Sequence, residues 1–196
     1  LAKAQAGDDE AFTYIVETYQ KPVFSLCYRM LGNAGDAEDA AQEAFLRAYK
    51  HIGRYDPNRS FATWLLSIAS HYCIDRLRKR RLSTFSIDDE EHDWWQPPDT
   101  GPTPEGAMVH DEKQARIQAL LDVLPPKDRA AVTLHYWYDH SYEEIAESLS
   151  LSVSAVKSRL YRARRALAEG WQTQEAQVQT LENSNAERTP YETPAF

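Results

Sequence analysis

Residues 124–167 read LPPKDRAAVTLHYWYDHSYEEIAESLSLSVSAVKSRLYRARRAL, and the fold turns on this stretch. Pro125 and Pro126 close one helix, expected over 113–124, and precede the next, expected over 127–138, because proline is accepted in a first helical turn but not in a helix interior. Ser141 and Glu144 stand three apart ahead of an apolar run. The serine hydroxyl can accept from the first turn of a new helix while the carboxylate reaches back to the cap, which makes a capping box. Ser150-Leu151-Ser152 then break the chain, and a last helix is expected over 153–170. Two helices parted by so few residues make a helix-turn-helix. At about 3.6 residues per turn, Val156, Leu160, Ala163 and Leu167 share one quarter of the last helix. The opposite arc carries Ser154, Lys157, Ser158, Tyr161, Arg162 and Arg165. A narrow apolar seam with long donors across from it is what a helix needs to lie in a DNA major groove and reach base edges. A generic amphipathic helix shares much of this pattern; the capped preceding helix and the short turn favour DNA binding.

Upstream, residues 1–82 also show only helical periodicity, with no alternating strand pattern. Helices are expected over 8–20 and 22–31, with Pro22 opening the second and Gly32-Asn33 closing it, then over 36–52 and 61–81. On the third, Ala41, Phe45, Ala48 and Ile52 form a core stripe, and Asp39, Gln42, Glu43, Leu46 and Lys50 the opposite face. A leucine exposed among carboxylates and an amide is either a stray on a solvated face or a dock, and periodicity leaves both open. On the fourth helix, Phe61, Leu65, Ile68 and Tyr72 make one stripe, and Leu66, Ala69, Cys73 and Leu77 a second. The remaining strip, Trp64, Ser67, His71, Ile74, Asp75 and Arg78, leads into Arg78-Lys79-Arg80-Arg81. Aromatic and hydrogen-bonding groups beside a basic run suit unstacked bases and phosphates, although a helix packed on two sides would look much the same. The fold class is therefore all-α: two small helical domains, 1–82 and 113–170, joined by an acidic proline-rich linker, 83–112, and followed by an extension, 171–196.

The whole chain carries 22 basic and 30 acidic side chains, a net charge of −8, which as a single number argues against a nucleic-acid binder. Its distribution says otherwise. Residues 1–82 hold twelve basic against ten acidic side chains, and residues 113–170 nine against seven, so each domain is +2. The deficit lies in 83–112, which holds nine carboxylates and no Lys or Arg, and in the last 26 residues, at −3. QPPDTGPTPEG at 96–106 has the composition of an extended linker, and NSNAERTPYETPAF at 183–196 that of a disordered tail. Arg76, Arg78, Lys79, Arg80 and Arg81 close the first domain, and Lys157, Arg159, Arg162, Arg164 and Arg165 the second. Basic residues favour helix C-termini in any case, but two such clusters around an acidic tether suggest a polyanion gripped at two places.

Three segments together, DAEDAAQEAFLRAY at 36–49, RSFATWLLSIASHYCIDRLRKRR at 59–81 and the stretch at 124–167, resemble the extracytoplasmic-function (ECF) sigma factors. The resemblance covers about 6–82 and 111–169. It implies a bacterial transcription initiation factor built of sigma domains 2 and 4, acting in the cytoplasm. Its implied partners are core RNA polymerase (the β′ clamp helices and the β flap), promoter DNA and an anti-sigma factor. Asp39, Gln42, Glu43 and Leu46 match the segment that such factors press on the clamp helices. Asn58, Arg59 and Ser60 in the loop, with Trp64, Ser67, His71, Arg78, Arg80 and Arg81, match the part that opens and reads the −10 element, where a base is held in a loop pocket. His71 stands where some relatives carry another polar residue, so base preference does not transfer. Ser154, Lys157, Ser158, Arg159, Tyr161, Arg162 and Arg165 match the −35 readers. The acidic linker is expected to thread toward the RNA exit channel, its carboxylates mimicking nucleic acid. The 25 residues after Trp171 exceed the usual minimal form; they are expected either to prolong the last helix or to fold back, with a modest regulatory role.

Other classes fit less well. His135 and His140 are five apart, off the spacing of a helical metal pair, and no Gly-rich phosphate loop or nucleophile motif occurs, so neither catalysis, a metal nor a cofactor is expected. A free-standing helix-turn-helix regulator would leave 36–82 unexplained. Two cysteines, Cys27 and Cys73, both within apolar runs, suit a reducing compartment and exclude a disulfide scaffold. No apolar run has the length of a membrane span and no signal-peptide pattern opens the chain. The chain starts at Leu1 rather than Met, so a few residues are expected to precede it.

Overall fold

The computed structural model describes residues 1–84 and 105–186, and every regular element among them is helical. The first module comprises α1 (Ala2–Gln5), α2 (Asp9–Leu31), α3 (Ala34–His51), a single 3-10 turn (Ile52–Arg54) and α4 (Phe61–Thr84). The second comprises α5 (Glu105–Asp122), α6 (Pro126–Tyr138), α7 (Tyr142–Ser148) and α8 (Val153–Ala186). Local chemistry sets the helix ends. Asp8 accepts from the Ala11 N–H at 3.0 Å to open α2, and Asn33 from the Asp36 N–H at 3.0 Å to open α3. Between them Gly32 takes the left-handed conformation, φ 75°, and its N–H returns to the Tyr28 carbonyl.

Two expected helices, 8–20 and 22–31, are one. Helix α2 runs through Pro22, because Phe12 and Ile15 on one side of the proline and Val23, Leu26, Cys27 and Met30 on the other pack into the same core. That burial outweighs the roughly 3 kcal/mol that an interior proline costs. Helix α4 differs in a second respect: Ile74, placed by periodicity on the polar strip, is buried, as is Ser70. Cys27 of α2 and Cys73 of α4 are free, buried and in contact, and that contact together with burial pushes the Cys73 thiol far above its ordinary value.

Boundaries shift at both sides of the linker and in the extension. Helix α5 starts at Glu105, inside the segment read as linker, and α4 reaches Thr84. The central part of the acidic tether, 85–104, and the tail, 187–196, lie outside the described residues. Helix α8 does not stop at Gly170 but continues to Ala186, so 183–186, read as disordered, are helical. Gly170 permits this: a Cβ there would sit 2.9 Å from Leu120 Cδ2, so the glycine lets α8 pass close to α5. Beyond it the Arg116 guanidinium stacks 3.9 Å from the Trp171 ring centroid, and its Nε donates to Gln174 Oε1 at 3.0 Å.

The two modules pack together. The buried Arg129 of α6 donates to the Met30 carbonyl and to Asp122 Oδ1, both at 2.7 Å, and also to the Asp122 carbonyl. Tyr138 donates to the Pro22 carbonyl at 2.6 Å, Gln118 to the Arg29 carbonyl at 3.2 Å, and Arg29 lies 4.8 Å from the Trp137 ring centroid. Burial lowers Arg129 and Arg29 from the usual guanidinium value and pushes the Tyr138 hydroxyl up to about 12.

Candidate nucleic-acid interface

The expected reading helix forms as the sequence indicated. Ser141 accepts from the Glu144 N–H while Glu144 Oε2 accepts from the Ser141 N–H at 2.8 Å, completing the capping box of α7. Ser150 takes a positive φ of 52°, Leu151 N–H returns to the Ala146 carbonyl at 2.8 Å, and Ser152 caps α8 through the Ala155 N–H at 3.2 Å. Val156, Leu160 and Ala163 are buried, whereas Ser154, Lys157, Ser158, Tyr161, Arg162 and Arg165 are exposed. Arg159 is different. Its guanidinium is bound by Asp128, a buried carboxylate of α6. Arg162 Nη2 lies 3.6 Å from the other oxygen of Asp128 with most of its side chain still in solvent. Arg165 pairs loosely with Glu169 at 3.6 Å.

The loop and α4 residues divide into three groups. Asn58, Arg59, Ser60, Trp64 and Ser67, with Thr63, line a cavity of about 280 Å³. Its far wall belongs to the second module: Glu144, Glu147 and Ser148 of α7. Arg59 crosses the gap to an ion pair with Glu147. Tyr55, Phe61 and Trp64 form one aromatic cluster behind it, with centroids 5.2–5.5 Å apart. His71 is not in the cavity; its Nδ1 lies 2.9 Å from the Ser67 carbonyl, one turn along α4. Arg78 lines a separate basic pocket of about 370 Å³ with Arg47, Tyr72 and Lys79. Arg80 is paired with Asp36, as is Arg76, and Arg80 and Arg81 border the cleft between the modules.

On α3, Asp39, Gln42 and Leu46 are exposed, Leu46 at 55%, and Glu43 is half-buried in an ion pair with Arg47 at 2.7 Å. Beside them an apolar groove of about 450 Å³ opens between α2 and α3, floored by Val16, Phe24, Ala41 and Phe45, with Gln42 on its rim. On the second module, Ile117, Leu120, Val132, Tyr136, Trp137, Leu167 and Trp171 enclose an almost wholly apolar groove of about 470 Å³. Sequence reading missed that groove, Asp128, Arg129 and Glu147. The exposed Tyr136-Trp137 pair was the available signal for the groove. No helix among the described residues is long and apolar enough to cross a membrane, and no cluster among them could hold a metal ion.

Comparison with known proteins agrees with this geometry. Residues 15–83 match the model for sigma-70 region 2, and residues 114–167 that for sigma-70 region 4. The chain is 41% identical over 173 residues to the ECF RNA polymerase sigma factor SigW of Bacillus subtilis, covering 85% of this chain and 92% of that one. It is 34% identical to the RNA polymerase sigma-H factor of Pseudomonas aeruginosa, covering 85% and 89%. Among solved structures, CnrH in complex with the cytosolic domain of CnrY shares the fold at 24% identity, with a TM-score of 0.65 over 88% of this chain and 94% of that one. The sigma factor RpoE of Bartonella quintana, solved with the anti-sigma factor NepR, shares it at 19% identity, with a TM-score of 0.62 over 83% and 98%. The chain belongs to the ECF sigma factors of the sigma-70 family, which are transcription initiation factors.

Proposed function

We propose that this chain directs core RNA polymerase to promoters by a division of labour between its two modules. Asp39, Gln42, Glu43 and Leu46, with the groove beside them, form the dock for the polymerase clamp. Lys157, Ser158, Tyr161 and Arg162 of α8, flanked by Ser154 and Arg165, read the −35 element. Asn58, Arg59, Ser60, Trp64 and Ser67 receive an extruded base of the −10 element, and Arg78 and Arg81 hold phosphates further along α4, joined by Arg80 once it leaves Asp36. The observation that carries this reading is the 280 Å³ cavity. Its first-module wall, which the α7 carboxylates Glu144 and Glu147 must leave before DNA is engaged, gathers an aromatic ring, hydroxyls, an amide and a guanidinium. Stacking and hydrogen bonding of that kind offset the few kcal/mol needed to unpair and extrude a base. Arg159 is assigned to holding Asp128 and α6 rather than to reading bases.

The closed packing bears on how such a factor works. Two promoter elements about 25 base pairs apart are separated by about 85 Å along B-DNA at 3.4 Å per pair. Arg59 and Glu147, one beside each reading surface, are in contact. The modules must therefore part before both surfaces reach one promoter. An anti-sigma factor is the proposed regulator; the sigma factor RpoE of like fold just described was solved with such a partner. A cytoplasmic site of action follows from the same reading.

Run-off transcription with purified core polymerase tests the proposal. Transcripts should start at promoters upstream of target genes only when this chain is added. No transcript beyond that of core alone, across candidate promoters, would overturn it. DNA binding by the protein alone separates the rival reading: a free-standing regulator binds promoter duplex tightly without polymerase.

A further inference from the structure

The cavity proposed to receive the −10 base is built on a loop that is held from outside the segment matching sigma-70 region 2, by the short helix α1. Gln5, the last residue of α1, sends its side-chain amide to two backbone carbonyls, Tyr55 at 2.8 Å and Ile52 at 3.1 Å. These carbonyls lie 50 and 47 residues away, at the two ends of the 3-10 turn that precedes the cavity loop. Residue 5 also lies outside 15–83, the segment that matches sigma-70 region 2.

From those carbonyls the constraint passes directly to the lining residues. Tyr55 is buried, its ring packs on Phe61 and Trp64, and its hydroxyl donates to the Arg59 carbonyl. Asp56 Oδ1 accepts from the Asn58 N–H at 3.0 Å and from Asn58 Nδ2 at 2.9 Å, and the Arg59 N–H returns to the Asp56 carbonyl at 3.0 Å. The backbone of Asn58 and Arg59 is thus tied to Tyr55 and Asp56, and the Tyr55 carbonyl to Gln5. Helix α1 is itself anchored: Ala4 is buried, and Gly7 takes a φ of 90° that lets the chain turn into α2.

We propose that Gln5 is a positioning residue for −10 recognition, resting on the reading of the cavity as a base pocket. A pocket discriminates bases only if its donors and acceptors are fixed before the base arrives; a loop free to re-form around any base pays for each equally. The Ile52 carbonyl also accepts from the Tyr55 N–H at 3.0 Å, and Gln5 ties the Tyr55 and Ile52 carbonyls together through one NH₂ group with two N–H bonds. Gln5→Ala removes both bonds. Gln5→Glu keeps the size but sets a carboxylate against two carbonyl oxygens, so it should be worse than alanine.

The test is run-off transcription by holoenzyme reconstituted with full-length wild-type, Gln5→Ala or Gln5→Glu chain. Templates carry the preferred −10 element, single-base substitutions within it, or substitutions within the −35 element. Expected is a fall of about fivefold or more in −10 discrimination for Gln5→Ala, the scale of one or two lost hydrogen bonds, a larger fall for Gln5→Glu, and unchanged −35 discrimination. A merely structural role would lower output and Tm while leaving the ratio between −10 templates intact, and that result would overturn the proposal. Equal loss at both elements would overturn it as well. A wild-type holoenzyme indifferent to the −10 sequence would overturn the base-pocket reading and this proposal with it, and is recognised because no variant is needed to see it.

Discussion

Arg59, on the loop of the first module, and Glu147, on α7 of the second, form an ion pair across the gap between the modules. The carboxylate occupies the guanidinium that lines the proposed base pocket, and α7 walls the cavity beside it. Both side chains are half or more exposed, so the pair itself adds little stability, on the order of 0–1 kcal/mol. Its effect is on access. Glu147→Gln should leave Tm nearly unchanged and raise the affinity of the free chain for a single-stranded −10 oligonucleotide by about threefold, the effect of a few tenths to one kcal/mol. Fluorescence anisotropy at low salt measures this; equal affinities would show that Glu147 does not compete for Arg59.

Arg129 ties the modules from a buried position. Its guanidinium donates to one carboxylate and two carbonyls, one of them Met30's, while its buried Nε has no partner among the described residues. Arg129→Ala should cost about 2–4 kcal/mol, because it empties a buried site and strands its acceptors. Chemical unfolding gives the figure, and small-angle scattering should show the modules further apart. A compact chain of undiminished stability would contradict this account.

Two neighbouring arginines of α8 should behave differently. Arg162 is exposed on the reading arc, so Arg162→Ala should cost about 1–3 kcal/mol of binding at a matched −35 element and relax specificity there. Arg159 holds the buried Asp128, so Arg159→Ala should instead lower Tm, leaving that carboxylate only the longer contact to Arg162. Promoter binding by holoenzyme and thermal melting of the free chain, measured on both variants, separate the roles.

Acid should weaken the helix-turn-helix in two steps. Burial holds His140 below its ordinary value of 6.5, so its neutral form is favoured in the folded chain. That contribution is complete above the unfolded value and is lost as pH falls through the lower folded one. Glu144 is held below 4.5 by the Ser141 N–H and hydroxyl, so its contribution is present above 4.5 and lost in stronger acid. Ser141→Ala should cost about 1 kcal/mol near neutral pH and flatten the lower step. His140→Gln should flatten the upper one. Denaturation midpoints between pH 8 and pH 3 check both.

The helices and the exposed polar arc of α8 were legible because each leaves a local mark: a cap, a glycine, a 3.6-residue stripe. Ala41, Phe45, Ala48 and Ile52 are buried as their spacing requires, and Lys157, Tyr161 and Arg162 are exposed. Pro22 and Gly170 misled for the same reason. Each is a local stop signal that tertiary packing overrides, through the shared core of α2 in one case and the close pass of α5 in the other. The long-range ties, within the first module and between the modules, left no such mark. A single side chain that reaches a carbonyl 47, 99 or 116 residues away, as Gln5, Arg129 and Tyr138 do, has no period. Arg159 was placed among the DNA-facing residues because charge alone does not reveal a partner, Asp128, 31 residues away along the chain.

The buried contact of Cys27 with Cys73 gives the protein an internal clock. The Cys73 thiol, held above its ordinary value by that contact and by burial, offers almost no thiolate to an alkylating reagent, and Cys27 is as deeply buried. Each sulfur becomes reactive only when α2 and α4 come apart. The rate at which iodoacetamide labels the native chain therefore counts openings of the first module's core, with no probe added to the sequence.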